Sequence, residues 1–294
     1  MRLAREDPET LDAIIITHEH MDHVNGLAVT ARKLGIPVYF TEPTHRAWMR
    51  WLTPRRQMTY AQWLEQCRKL AAERQAEAEA AAPESQQDEQ DAEAQLDCVM
   101  AEVAVAAVAD ETKPVSDGPP ARKEDPTWLP AVEYFQAGEC FEIGDIAVSP
   151  FTIPHDAADP VGFVFRAEGV RMACATDLGY IPPNVKAQLK GVDLLLIESN
   201  HDLEMLRDGP YPWSVKQRVL SRVGHLSNET TAEYLEKVYD GQAAYVILAH
   251  LSESNNLPEI ARVTAERALN GRASLLANRL LLAAQHEPLS AISF

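Results

Sequence analysis

The chain of 294 residues is 46% hydrophobic and carries a net charge of −17, with 27 basic against 44 acidic side chains, a length that suits one large α/β domain or two small ones. With no apolar run of about 18 residues, no membrane span is predicted. Because Met1-Arg2-Leu3-Ala4-Arg5-Glu6-Asp7 lacks an apolar signal core, and Cys67, Cys98, Cys140 and Cys174 lie far apart with no CxxC pair, a disulfide framework and a zinc ribbon are excluded and the cytoplasm is the expected location.

The first predicted element is the run Leu11-Asp12-Ala13-Ile14-Ile15-Ile16-Thr17, whose three isoleucines suit a buried strand. Directly behind it, His18-Glu19-His20-Met21-Asp22-His23 packs three imidazoles and a carboxylate into six residues, improbable by chance with only nine histidines in the chain. His18 and His20, two apart, can face one side of an extended segment and clasp one ion, while Asp22 and His23, past the turn, can hold a second. Residues 25–35 read as a helix closed by Gly35 and 36–40 as a strand, completing a βαβ crossover. Residues 41–69 read as a helix anchored by Trp48, Trp51, Trp63 and Leu64, with the tryptophans assigned to packing rather than to a base-stacking surface.

Residues 71–126 hold 15 acidic and 4 basic side chains, a net of −11, so most of the charge that disfavours a nucleic-acid partner is local. This Ala/Glu/Gln-rich stretch lacks an extended apolar stripe and is predicted to be an acidic low-complexity insertion, disordered or loosely helical, within a single domain spanning 1–294. A passive insertion is favoured over an autoinhibitory arm that competes with phosphate substrates. Five prolines between Pro114 and Pro130 resist regular structure.

Strands return from Tyr134: 141–143, 146–153, then 161–166 and 170–175 as a hairpin around Glu168-Gly169. Residues 192–197 form a buried strand, 213–223 and 229–239 helices, and 243–249 the strand that closes the sheet before a helix from Pro258 to about Leu269. Three of these strands end in metal-ligand types: His155 after Thr152-Ile153-Pro154, Asp177 after Ala175-Thr176, and His250 after Leu248-Ala249. His45 and His286 stand outside any motif and are assigned to the surface or to packing.

The His-x-His-x-Asp-His cluster behind a strand ending in Thr, followed in order by those three strand ends, resembles the metallo-β-lactamase superfamily. The resemblance implies a four-layer αββα sandwich. It also implies one ion held by His18, His20 and His155, a second by Asp22, His23 and His250, and Asp177 as their bridge, with zinc or manganese as the two divalent ions. Members usually carry several strands ahead of the His-rich motif, and only ten residues precede Leu11 here, so the sandwich is expected to lack its first N-terminal strands.

Glu198-Ser199-Asn200-His201-Asp202, Gly224-His225-Leu226-Ser227-Asn228 and His250-Leu251-Ser252-Glu253-Ser254-Asn255-Asn256 are similar to signatures of the YycJ/WalJ-type exonuclease group. That resemblance covers residues 11–70 and 131–294, and implies 5′→3′ degradation of DNA. The expected activity is a dinuclear metal-dependent phosphodiesterase using a metal-bridging hydroxide. His225 is the candidate to protonate the leaving oxygen, with Asp22 as the other candidate catalytic residue. Asn200, His201, Ser227 and Ser252 are candidates for the substrate phosphate, the helix behind Ser227 offering free N–H groups. Glu198 is the candidate orienter of a ligand histidine. The alternatives are hydrolysis of a small phosphodiester or thioester, which shares every ligand but needs no nucleic-acid groove, and an N-terminally shortened, inactive scaffold, which metal content would reveal. Oligomeric state is not readable.

Overall fold

Alternation along the strands, one side chain in and the next out, dictates which layers a strand can join. In the computed structural model, which describes residues 7–53, 64–65, 68–69, 72, 125–269 and 279–294, Val38 and Phe40 of strand β2 (Pro37–Phe40) pack one way with Ala31 and Trp48, and Tyr39 packs the other way with Phe141 and Ile15. Two faces used by one strand make a layered sandwich. β2 lies between β1 (Ile14–Ile15) and β3 (Ala131–Tyr134), all parallel. The second sheet has seven strands: β4 (Phe141–Ile143), β5 (Ile146–Thr152), β6 (Val161–Ala167), β7 (Val170–Ala175), β8 (Leu194–Glu198), β9 (Tyr245–Ala249) and β10 (Arg279–Leu282), in the spatial order β10-β9-β8-β7-β6-β5-β4. Pairing is antiparallel from β4 to β7 and parallel from β7 to β10.

Helices cover the two outer faces. α1 (Met21–Val24), α2 (Leu27–Leu34) and α3 (Glu42–Leu52) accompany the small sheet, α2 and α3 burying Leu27, Ala28, Ala31 and Trp48 against it. α4 (Pro183–Gln188), α5 (Leu203–Asp208), α6 (Trp213–Val219), α7 (Asn228–Lys237) and α8 (Pro258–Leu269) accompany the large one, where Val185, Leu235, Ala261, Ala265 and Leu269 join Leu195, Ile197, Val246 and Leu248 in the main core. A smaller seam of Phe135, Val148, Val161 and Phe163 separates the sheets. The four-layer αββα order expected from the sequence is therefore present.

Several boundaries differ for identifiable reasons. The helix expected over 25–35 is α2, starting at Leu27, because Gly26 at φ 79° takes a left-handed conformation that separates it from the single turn of α1. α3 stops at Leu52 rather than running to Lys69: Thr53 is extended, as a residue ahead of a proline prefers. α6 ends at Val219, since the chain must fold back sharply enough that a Cβ on Gly224 would collide with the Val219 carbonyl. β9 does not close the sheet, because β10 adds a parallel strand outside it. His45 is packing, as expected, stacked on Phe40 with Nδ1 2.8 Å from the Tyr134 hydroxyl.

The chain divides into two compact units, Met1–Thr53 with Asp125–Phe294, and Pro54–Glu124. All the elements named above belong to the first. The acidic 71–126 stretch, apart from Ala72, Asp125 and Pro126, lies outside the described residues. No described helix is long and apolar enough to cross a membrane.

Candidate metal centre

The large sheet brings its chemistry to one end. β5, β7, β8 and β9 run in the same direction, with Ala175 beside Ile197 and Glu198 beside Ala249, so His155, Asp177, Glu198 and His250 emerge together at their carboxyl ends, where ligands of α/β sheets commonly collect. The small sheet adds the rest. β1 is tied to both sheets, Ile16 N–H donating to the Tyr39 carbonyl and Val161 N–H to the Thr17 carbonyl. His20 is then still extended, while Asp22 and His23 lie in the single turn of α1 and are thrown to the other side. A six-residue motif thus serves two pockets.

The first pocket is all imidazole. His18 Nε2 and His155 Nε2 each lie 3.1 Å from His20 Nδ1. Tetrahedral zinc–imidazole bonds of about 2.0–2.1 Å place neighbouring nitrogens about 3.4 Å apart, so the three are spaced to share one ion. His155 Nδ1 donates to the Gly224 carbonyl at 3.1 Å, which fixes the proton there and leaves a lone pair on Nε2. Burial drives His18 down to about 3 and His155 below its ordinary value, so both present neutral nitrogens.

The second pocket mixes charge. His23 Nε2 lies 3.5 Å from Asp22 Oδ2 and 3.4 Å from Asp177 Oδ2, and His250 Nε2 lies 3.4 Å from Asp22 Oδ2. Burial works against protonation of both histidines, but the carboxylates outweigh it and raise His23 to about 9 and His250 to about 11. Hydrogen bonding to His23 and His250 holds Asp22 well below the usual carboxylate range; burial opposes the same shift in Asp177 and loses to His23 and its neighbours. Thr17 joins the two pockets from behind, its hydroxyl 3.1 Å from His18 Nδ1 and 3.0 Å from His23 Nδ1.

Asp177 stands between them. Oδ1 is 3.9 Å from His155 Nε2, and the buried Oδ2 has no hydrogen-bond partner among the described residues. A buried carboxylate oxygen whose near partner is the 3.4 Å His23 contact, with no well-formed hydrogen bond, is under-satisfied and suits a cation, so these residues fit divalent metal. Asp177 and His250 also share left-handed backbones, at φ 62° and 59°, a conformation that costs a non-glycine residue about 1–3 kcal/mol and tends to occur at functional sites.

Glu198 also converges on Asp177, His225 and His250, but its bonds assign it another task. Oε2 accepts from Leu178 N–H at 2.7 Å and Leu226 N–H at 3.1 Å, while Oε1 accepts from His225 Nδ1 and His250 Nδ1, both at 2.8 Å. All four approaches are filled, so it orients the two rings rather than offering a free lone pair. Burial opposes the charge on Glu198, yet these donors keep its carboxyl below the ordinary value, and in return it raises His225 against that ring's own burial.

A cleft of about 390 Å³ opens over the donors, lined by His20, Asp22, Asp177, His225 and His250 together with Trp51, Val215, Val219 and Arg218. The four residues expected to grip a phosphate do not line it. Asn200 donates its amide to the His250 carbonyl, Ser227 caps α7 by accepting from Thr230 N–H, and Ser252 accepts from Asn255 N–H. His201 is buried, and burial pushes its ring down to about 4. The polar atoms of Asn200, Ser227 and Ser252 brace the loops behind the centre. Sequence reasoning missed Thr17, Asp156, Trp51 and Arg218; adjacency to the His motif and to His155 was the available signal for the first two, whereas Arg218, ion-paired with Asp156, and Trp51 arrive from distant helices.

Comparison with known proteins points to one family. Residues 1–89 and 91–251 match the profile of the family described as Beta-lactamase superfamily domain. The chain is 30% identical over 259 residues to Exodeoxyribonuclease YycJ of Bacillus anthracis, covering 88% of this chain and 71% of that protein. It is also 30% identical over 257 residues to Exodeoxyribonuclease WalJ of Streptococcus pneumoniae serotype 2, covering 87% and 70%. Among solved structures, the metallo-β-lactamase fold protein YhfI of Bacillus subtilis superposes with a TM-score of 0.51 at 12% identity, over 94% of this chain and 76% of that one, a likeness of fold.

Proposed function

Because the chain belongs to the β-lactamase superfamily and is a metal-dependent hydrolase, we propose that it is a dinuclear phosphodiesterase acting on nucleic acid, a DNA exonuclease working 5′→3′. The observation that carries this reading is the pair of donor groups on either side of Asp177, His18/His20/His155 and Asp22/His23/His250, opening on one cleft beside His225. The relatives named as exodeoxyribonucleases support DNA as the substrate class, and the 5′→3′ polarity is what the sequence resemblance implies. His and Asp donors suit zinc and manganese alike.

Divalent ions held there lower the pKa of water toward neutrality and offset charge on a phosphodiester. The chain's own residues do the remainder. Asp177 keeps the two donor groups in register. Glu198 fixes both rings that share its Oε1, so His225, with Nδ1 committed, has Nε2 left to give a proton to the leaving oxygen, and its raised pKa keeps that proton available near neutrality. Arg218, the one Lys or Arg lining the cleft among the described residues, supplies a fixed cation for the phosphate.

Protein loaded separately with Zn²⁺ and Mn²⁺ is to be assayed on 5′-labelled duplex DNA, on RNA and on bis(p-nitrophenyl) phosphate. Nucleotide release from the 5′ end of DNA is the expected result. Cleavage of the small ester with no nucleotide release removes the nuclease reading, and a metal content under about one ion per chain, unchanged by His20→Ala, removes the metal reading.

A further inference from the structure

Two tryptophans three residues apart on α3 have opposite surroundings. Trp48 is 2% exposed, packed against Phe40 and His45, whereas Trp51 is 69% exposed and lines the cleft with Met21, Val215 and Val219. Trp51 therefore contributes little to the core, and its indole gives a charged cleft an apolar, π-faced rim. The floor is the reverse: Asp22, Asp177 and His250 are donors for ions and, through them, for a phosphate. A cavity that is ionic at its base and aromatic at its lip matches a ligand with a phosphate at one end and a flat apolar ring at the other.

Size narrows the ligand. Ligand clefts commonly run from about 300 to about 1,000 Å³, and about 390 Å³ lies at the small end, room for one nucleotide and not for a stacked base pair. We propose that Trp51 is the base-stacking platform of this cleft, holding the nucleobase of a single unpaired nucleotide while its phosphate lies at the His/Asp donors. This rests on the phosphodiesterase reading and adds to it the form of the substrate: a strand end whose terminal base has left its neighbours. Stacking on an indole face is sequence-tolerant, because every base presents a π face, so all four bases are accepted with similar affinity.

The test is steady-state kinetics of the metal-loaded full chain on a single-stranded oligonucleotide and on the same strand with an abasic 5′-terminal nucleotide. Trp51→Ala is expected to raise KM about tenfold on the intact strand, equivalent to ~1.4 kcal/mol and within the range for base–aromatic stacking, with kcat within about twofold. Trp51→Phe restores most of the loss. On the abasic strand the Trp51→Ala penalty disappears, and Trp213→Ala, an exposed tryptophan that does not line the cleft, behaves as wild type on both. An unchanged KM for Trp51→Ala on the intact strand, or an equal penalty on the abasic one, overturns the stacking proposal alone. Failure of the wild-type protein to cleave any oligonucleotide while it cleaves bis(p-nitrophenyl) phosphate overturns both this proposal and the nuclease reading.

Discussion

The two halves of the centre are built on opposite electrostatic plans. His18, His20 and His155 form a pocket of imidazoles alone in which His18 is 0% exposed, whereas the Asp22, His23, Asp177 and His250 pocket contains two carboxylates, and the Asp22 side chain is 60% exposed. Burial dominates at His18 and His155 and disfavours protons on those rings; charge pairing dominates at His23 and His250 and keeps protons on. The difference teaches which pocket is set up to retain an ion and which to exchange one at the solvent side, next to His225 and the cleft.

The largest perturbation of that contrast is Asp177→Asn, which removes the carboxylate common to both pockets. Activity should fall to background with loss of metal from both, whereas Asp22→Asn should empty the second pocket alone; elemental analysis of the two variants separates them, and equal losses would break the distinction. Next in size is His225→Gln, expected to lower kcat by about 10²–10⁴-fold, the usual worth of a general acid, with metal content unchanged. A smaller loss, of about 10–100-fold in metal affinity or activity, is expected for Glu198→Gln, since it weakens the orientation of His250 and His225 together; metal titration and kinetics on that variant read the two effects separately.

The mildest test is proton release. In the metal-free protein His23 and His250 hold protons up to about 9 and about 11, so near neutral pH an ion entering their pocket must displace them, and its affinity rises with pH by about tenfold per unit for each proton displaced. His18 is lowered to about 3 and His155 is lowered by burial, so loading of the imidazole pocket should release fewer protons near neutral pH. Calorimetry in two buffers of different ionisation heat measures the protons directly, and equal release at both sites would erase the contrast.

The sequence made the strand-end donors legible because each follows an apolar run within two residues: His18 behind Ile16-Thr17, Asp177 behind Ala175-Thr176, His250 behind Ala249. A strand's direction tells where its next side chains emerge, and that information is local. Glu198 was legible for the same reason. Trp51 was not, because its role depends on which side of α3 meets the sheet, and Trp48 claims that side. Asn200, Ser227 and Ser252 satisfy the backbone of neighbouring loops, a task that looks the same in sequence as facing a ligand. The break at Gly26 and the added strand β10 likewise depend on conformation and pairing that hydrophobic pattern does not encode.

The left-handed backbones of Asp177 and His250 carry a consequence for selection. Glycine accepts φ near +60° without strain, so a glycine at either position would relax the backbone while leaving His23 or Glu198 short of a partner. The same two side chains that hold the donors in place also balance buried charge, so a library screened for heat tolerance alone has no simple route to erasing them, and backbone relief there must be sought with the side chain kept.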